Sequence, residues 1–363
     1  MTLTQISAAS NQWDRIVRSM SGHNVYQSAA YHRLAAEKDG GEARLFYFEE
    51  EDLRVAIPLI IREIDPAFTS KAGPLRDATS VYGYPGILSN VDDAPQEFIE
   101  RFQYVLRKEM QRENVVTVFV RLDAIRAGTE FVTGLGDVEK VGDTIAIDLS
   151  VDDETRFRSF RRNHRSNISK LREMSAETVD DPSFRMLPAF EEAYRKSMQR
   201  VGAKEWFTFG LDYFQSLCAQ CGEDVVLLQT KIDGQLACGG LFFCSGDVAY
   251  AHLTATDDRW AGKSPTKVLF DDAARYFRRL GYRWLHIGGG LGAREDSLYR
   301  FKCGFSADRF PFHVWKYVVD APRYQQLCRL TESPIVGEKY ESFFPQYRVV
   351  TVEPSEPADP TTV

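Results

Sequence analysis

At 363 residues, with 44% hydrophobic and 27% charged residues, the chain has the composition of a soluble globular protein and exceeds what one ordinary core holds. Its net charge of -7 argues against broad, sequence-independent nucleic-acid binding, though one basic patch could still meet a nucleic-acid end. No apolar run approaches the roughly 18 residues of a membrane-spanning helix, and Met1 to Trp13 lacks the basic-then-apolar order of a signal peptide, so a cytoplasmic protein is expected.

Tyr26 to Lys38 reads as a helix. Ala43 to Phe48 and Leu53 to Ile61 read as two strands joined by the acidic turn Glu49 to Asp52. Thr79 to Tyr84 reads as a further strand. Pro95 to Arg112 has helical spacing, with Phe98, Phe102, Val105 and Met110 on one side, and Val115 to Leu122 reads as a buried strand. The order returns later. Leu211 to Cys221 reads as a helix, Asp224 to Lys231 and Leu236 to Cys244 as a hairpin, and Val248 to Ala255 as a strand. Pro265 to Leu280 is a helix with proline at its first turn, and Arg283 to Ile287 closes the unit. Such a repeat means duplicated domains rather than a solenoid, unless two stretches of an ordinary α/β protein merely look alike. The expected division is 1–148, 149–350 and a disordered, proline-rich and charged tail over 351–363.

Between the units lies the most basic segment, Arg156 to Arg172, read as a helix capped by Ser150 with Asp153 completing a capping box. Phe157, Phe160, Ile168 and Leu171 form its apolar stripe, with Arg158, Arg161, Arg162, Arg165 and Arg172 largely off it. The cationic face is either solvated or an anion site, since arginine forks match phosphate and carboxylate. Of the six cysteines, Cys218 and Cys221 form one C-x-x-C with no second pair at zinc spacing, so no metal is expected. The stretch Leu285 to Phe305 reads as a strand, a glycine-rich loop and a short helix with Asp296 as N-cap and Gly304 past its end. It places Lys302 between Phe301 and Phe305. Either the glycines admit a ligand and Lys302 meets charge developing in a reaction, or the loop only bends and the lysine complements a helix end.

These pieces resemble the N-acetyltransferase (GNAT) fold present twice, and more closely the FemAB (FemX-like) family, which transfers aminoacyl groups from tRNA to amines of cell-wall precursors. The resemblance runs over roughly residues 24 to 325 and rests on Tyr26-Gln-Ser28 with Tyr31, Arg161-Arg-Asn-His-Arg-Ser-Asn-Ile168 before Lys170, and Tyr194-Arg-Lys-Ser-Met198. Tyr213-Phe with Leu217, Ala249 to Thr256, Ser264-Pro265, the glycine loop and Phe301-Lys-Cys-Gly-Phe305 complete it. It implies an α/β (α+β) protein of two tandem GNAT-like domains, each a mixed, mostly antiparallel sheet flanked by helices.

The resemblance also implies roles. Lys302 would stabilise the oxyanion formed when an amine attacks an ester or thioester carbonyl, and Arg165, helped by Arg161 and Arg162, would hold phosphate of the acceptor. His252 and Asp296 are candidate proton acceptors, against a structural histidine and a helix cap. Tyr82, Tyr84, Trp206 and Tyr250 are candidate substrate contacts. The loop Arg259, Gly262, Lys263 and Ser264 nearly matches a CoA pyrophosphate loop at a helix start, with Arg300 as a further donor contact. Departures weigh against a UDP-linked acceptor: an early lysine is replaced near Ala35, with Lys38 as stand-in, and Ser169 stands where a tyrosine is usual. The implied activity is N-acyl transfer with no permanent cofactor. The co-substrate would be aminoacyl-tRNA or acyl-CoA, and the partners a small amine acceptor, with or without phosphate, and a tRNA acceptor end. The alternatives are a CoA-dependent acetyltransferase acting on an amino sugar or metabolite, and a non-enzymatic ligand-binding scaffold.

Overall fold

The computed structural model describes residues 3–68, 74–203, 205–331 and 343–349. The tail expected over 351–363 lies outside them. The first unit opens with β1 (Thr4–Ser7), α1 (Asn11–Arg18) and α2 (Ala29–Asp39), followed by the hairpin β2 (Gly41–Glu50) and β3 (Leu53–Glu63). It continues through β4 (Arg76–Thr79), the short β5 (Leu88–Ser89), α3 (Gln96–Arg112), β6 (Val115–Arg121) and β7 (Asp137–Asp148). The link consists of α4 (Asp153–Ser159), α5 (Arg162–Glu173), β8 (Glu177–Asp180) and α6 (Leu187–Arg200). The second unit is α7 (Leu211–Cys221), β9 (Val225–Ile232), β10 (Gln235–Ser245), β11 (Val248–Thr256), α8 (Thr266–Arg279), β12 (Trp284–Gly288), α9 (Ser297–Lys302) and β13 (Arg309–Val318). The last described helix is α10 (Ala321–Leu330).

The expected duplication is visible in strand pairing. β3 pairs antiparallel with β4, which pairs parallel with β6, and β10, β11 and β12 repeat that pattern. Each parallel pair needs a crossover, supplied by α3 in one half and α8 in the other. The halves then exchange strands. β7 pairs with β12, β13 pairs with β6, and β7 and β13 pair with each other, all antiparallel. The result is one sheet in the order β1-β2-β3-β4-β6-β13-β7-β12-β11-β10-β9-β8, with β5 on β3. β13, expected in the second domain, thus lies beside a strand of the first.

Two local expectations are corrected. The strand expected over Thr79 to Tyr84 lies earlier and ends at Thr79. There the Ser80 hydroxyl accepts the Arg121 amide at 2.9 Å, taking the place of a continuing ladder. The basic segment is two helices rather than one, with Phe160 and Arg161 in extended conformation between them. Phe160 is drawn into the core against Phe305 at 5.3 Å, and the Arg161 amide donates to Gly304 O at 2.7 Å. The first helix is capped by Asp152, which accepts from the amides of Glu154 and Thr155; the amide of Ser150, the expected cap, instead donates to Asp148.

Part of the basic segment is structural. Arg156, only 2% exposed, bonds Asp153 at 2.6 Å and lies 3.8 Å from Asp271. Fully buried Asp271 also meets Arg172 at 2.8 Å and Arg275 at 3.3 Å. This network locks α4 and α5 onto α8. Removing one partner leaves charge buried and uncompensated. Asp271→Ala should therefore cost about 3–5 kcal/mol in urea unfolding, whereas Arg158→Ala, which breaks the exposed pair with Glu154, should cost less than about 1 kcal/mol. Equal costs would contradict the network's role.

Candidate active site

β12 delivers His286 and Ile287 into the core and then turns at Gly288, whose φ of 73° favours glycine. A Cβ there would lie 3.2 Å from the Tyr84 hydroxyl and 3.3 Å from Lys302 Nζ. Two polar groups, one from each half of the chain, therefore converge on the same backbone position. Asp296 holds the loop and α9 together: Oδ1 accepts from the Tyr299 amide at 2.8 Å and Oδ2 from the Leu291 amide at 3.0 Å. Burial by itself would raise its pKa; the amides of Tyr299, Leu291 and Leu298 outweigh that and hold the carboxyl below its ordinary range. Asp296 has the geometry of a cap, with both oxygens occupied.

Lys302 Nζ donates to Gly289 O at 2.7 Å. Burial lowers its pKa to about 8, partly opposed by Asp296. Tyr84 is pushed up by burial and by Tyr82 and Asp123, so it stays a hydroxyl donor. Its ring meets His286 at 4.6 Å and Phe312 of β13 at 5.3 Å. His286 Nε2 lies 2.9 Å from Thr144 Oγ1 of β7.

The start of α5 is tied to the residues just after Lys302. Gly304 leaves room for the His164 ring, whose Nε2 would lie 2.3 Å from a Cβ there. That nitrogen sits 2.9 Å from Phe301 O, and the ring meets Phe305 at 4.6 Å. The structure sorts the arginines. Arg158 pairs with Glu154 and Arg172 with Asp271 and Asp272. Arg161, Arg162 and Arg165 form no ion pair among the described residues, and Arg165 Nε is buried without a partner. Arg300 is exposed.

Tyr250 stacks at 6.1 Å on Tyr84 and donates to Asp123 Oδ2 at 2.9 Å, an oxygen that also accepts from Asn24 Nδ2 at 2.9 Å. Asp123 escaped the sequence reading; its signal is a single acid between Leu122 and Ala124 at a buried strand end. His252 lies behind this wall, stacked on Phe243 at 4.0 Å with Nδ1 at 3.3 Å from the Tyr26 hydroxyl. Burial pushes its pKa down to about 3, which makes it a weak base. Tyr82 and Trp206 pack together at 5.5 Å.

In the loop before α8, Arg259 is committed to Asp257 at 2.9 Å and Gln235 at 2.7 Å. Lys263 lies 5.1 Å over the Trp260 ring, Gly262 is open around its α-carbon, and Ser264 takes a left-handed conformation at φ 53°. Lys267 lies on the first turn of α8, which packs against α5.

Residues 158–302 match the family described as acetyltransferase (GNAT) domain, a span running from the basic segment to Lys302 itself. No curated protein matches the chain. The crystal structure of FemX aligns with 90% of this chain and 99% of its own at 14% identity, with a TM-score of 0.69. The structure of L-PGS from Bacillus licheniformis aligns with 87% of this chain and 94% of its own at 13% identity, with a TM-score of 0.57. At such identities the likeness is one of fold: the expected tandem of GNAT-like halves is the fold observed.

His252 and His286 are buried as neutral rings with pKa values near 3, against 6.5 for a free imidazole. Because the folded values lie below the unfolded one, their stabilising contribution is present above pH 6.5 and is lost as pH falls toward 3. Unfolding free energies from urea titrations should fall between pH 6.5 and 5, by at most about 1.4 kcal/mol per pH unit for each histidine. Replacing both with glutamine should make that dependence shallower, leaving the part due to His32 and His164, which burial also holds down at about 4; an unchanged slope would contradict neutral burial.

Proposed function

We propose that this chain, with an acetyltransferase-type GNAT domain over residues 158–302 in a FemX-like tandem fold, is an N-acyltransferase moving an aminoacyl or acyl group onto an amine. The observation that carries the reading is Lys302: a part-buried ammonium held on Gly289 O, with the Tyr84 hydroxyl arriving at the same glycine edge. Amine attack on an ester or thioester needs positioning and positive charge at the tetrahedral oxygen more than covalent help. The new N–C bond pushes the carbonyl electron pair onto oxygen, where Lys302 donates and Tyr84 adds a second hydrogen bond. The pair then returns, the C–O or C–S bond breaks, and the leaving oxygen or sulfur takes up a proton. Asp296, occupied by amides, and His252, depressed to about 3, are poorly suited to take the amine proton. Solvent or the substrate itself is the better route.

Arg161, Arg162 and Arg165, without an ion pair among the described residues, suit a phosphate-bearing acceptor. The loop before α8 favours aminoacyl-tRNA over acyl-CoA as donor. Arg259, which would serve a CoA pyrophosphate, is held by Asp257 and Gln235, and Ser264 stands where such a loop takes glycine or alanine. The acceptor is an amine of a small or cell-envelope molecule, and the working place is the cytoplasm. Among the described residues no helix is long and apolar enough to cross a membrane.

Lys302→Met should lower kcat by about 10²–10³, the usual loss of one oxyanion donor, while leaving the fold intact by circular dichroism. If the protonated lysine is the working form, wild-type kcat/KM should decline as pH rises through about 8, because the ammonium is lost there. Full activity in Lys302→Met would overturn the assignment. For the donor, purified protein given charged tRNA or acetyl-CoA should transfer from tRNA; transfer from CoA alone would reverse that choice.

A further inference from the structure

Two buried polar side chains near the Lys302 corner take no part in the mechanism above. His286 of β12 is 1% exposed and Thr144 of β7 is 2% exposed. They meet at 2.9 Å, Nε2 to Oγ1. Thr144 has one hydroxyl proton, and it goes to Phe310 O at 3.2 Å. The ring nitrogen must therefore donate, which fixes the imidazole in orientation and tautomer. Burial, with the charge of Lys302 adding to it, keeps the ring neutral at a pKa of about 3. The backbone is shaped here too. β12 bulges against β7: His286 pairs with Ala146 and Gly288 with Ile145, so Ile287 is left over. Bulges re-aim side chains and gather beside active sites. Two apolar side chains would fill the same core space with no hydrogen bonds to satisfy, so packing alone does not account for the pair.

What the pair touches is Tyr84. The Tyr84 hydroxyl approaches the Lys302 corner at Gly288, yet among the described residues no hydrogen bond fixes it there. Its place is set by what holds the ring. Tyr26 meets that ring at 5.8 Å, Tyr250 at 6.1 Å and Phe312 at 5.3 Å, and His286 comes nearest, edge-on at 4.6 Å and 83°. His286 also belongs to the strand that ends at Gly288, so ring and corner share one support. We propose that His286, locked by Thr144, is a positioning residue that keeps the Tyr84 hydroxyl at the Lys302 corner. The proposal rests on the acyltransferase reading for the purpose of that corner, not for the contact itself. A polar network holds one geometry when its members are satisfied, and an oxyanion donor is effective only when already in place. Misplacement by about 1 Å can cost on the order of 10²-fold in rate.

The first arm of the test needs no substrate. The full chain is made with 3-fluorotyrosine, and the Tyr84 line in its fluorine NMR spectrum is assigned by its loss in Tyr84→Phe. Thr144→Val removes the acceptor of the imidazole proton at nearly constant volume. It should shift or broaden the Tyr84 line while the line of Tyr104, exposed on α3, stays in place. Thr144→Ser restores the hydroxyl and should return the Tyr84 line toward its wild-type position. The second arm is transfer from charged tRNA to free lysine as the amine probe. There Thr144→Val should lower kcat about tenfold with little change in KM. Added to Tyr84→Phe, the same change should cost less than about twofold, because residues that act through one another are not additive. An unmoved Tyr84 line in Thr144→Val, no recovery in Thr144→Ser, or an equal loss of kcat in both backgrounds would each overturn the proposal. Failure of the acyltransferase reading shows separately, as no transfer or as transfer that persists in Lys302→Met, and the spectra then still decide whether the pair holds Tyr84.

Discussion

The antiparallel pairing of β7 with β13 is the constraint on which the rest of the molecule depends. Each strand belongs by chain order to one half and lies against the last repeat strand of the other. The exchange sets where the site residues stand. β7 supplies Thr144 to His286, β13 supplies Phe312 to the Tyr84 ring, and β12 ends beside both at the glycine that Lys302 and Tyr84 approach. A backbone ladder across the centre of a sheet resists displacement far better than a surface contact between domains, so the two halves of the site are held in fixed register.

Buried charge divides into two kinds. Around Asp271, arginines from α4, α5 and α8 meet carboxylates at hydrogen-bonding distance, and the charge is matched inside the protein. Lys302 has only a backbone carbonyl and a distant carboxylate. A matched network of this kind holds helices in place, whereas a part-buried cation with no carboxylate at hydrogen-bonding distance marks a candidate site. The same distinction separates Arg172 from Arg165 within one helix, though their spacing along the chain looks alike.

Much of the architecture was legible in the sequence. Leu211 to Cys221 is a helix with those bounds, and the hairpins around Glu49 to Asp52 and Asp233-Gly234 form as their alternation and turn residues require. The stretch from Leu285 to Phe305 folds as a strand, a glycine loop and a helix capped by Asp296. What failed were features decided by distant partners. The break at Phe160 and Arg161 comes from Phe305 and Gly304, far along the chain. The early end of β4 comes from a serine that bonds across to β6. Neither has a local signature, because helix propensity and β propensity are weak where tertiary contacts compete.

The sequence by itself determined the repeated order of elements, the basic segment and the single lysine between aromatics, because periodicity, caps and glycine positions act over a few residues. Only the tertiary structure decided that the halves exchange strands, that Tyr84 comes to Lys302, and that Arg156 and Arg172 are structural while Arg161, Arg162 and Arg165 have no ion pair among the described residues. The physical reason is common to all three. Whether a charge is satisfied, and which hydroxyl it meets, depends on groups brought together across long loops of chain, and no local pattern encodes them.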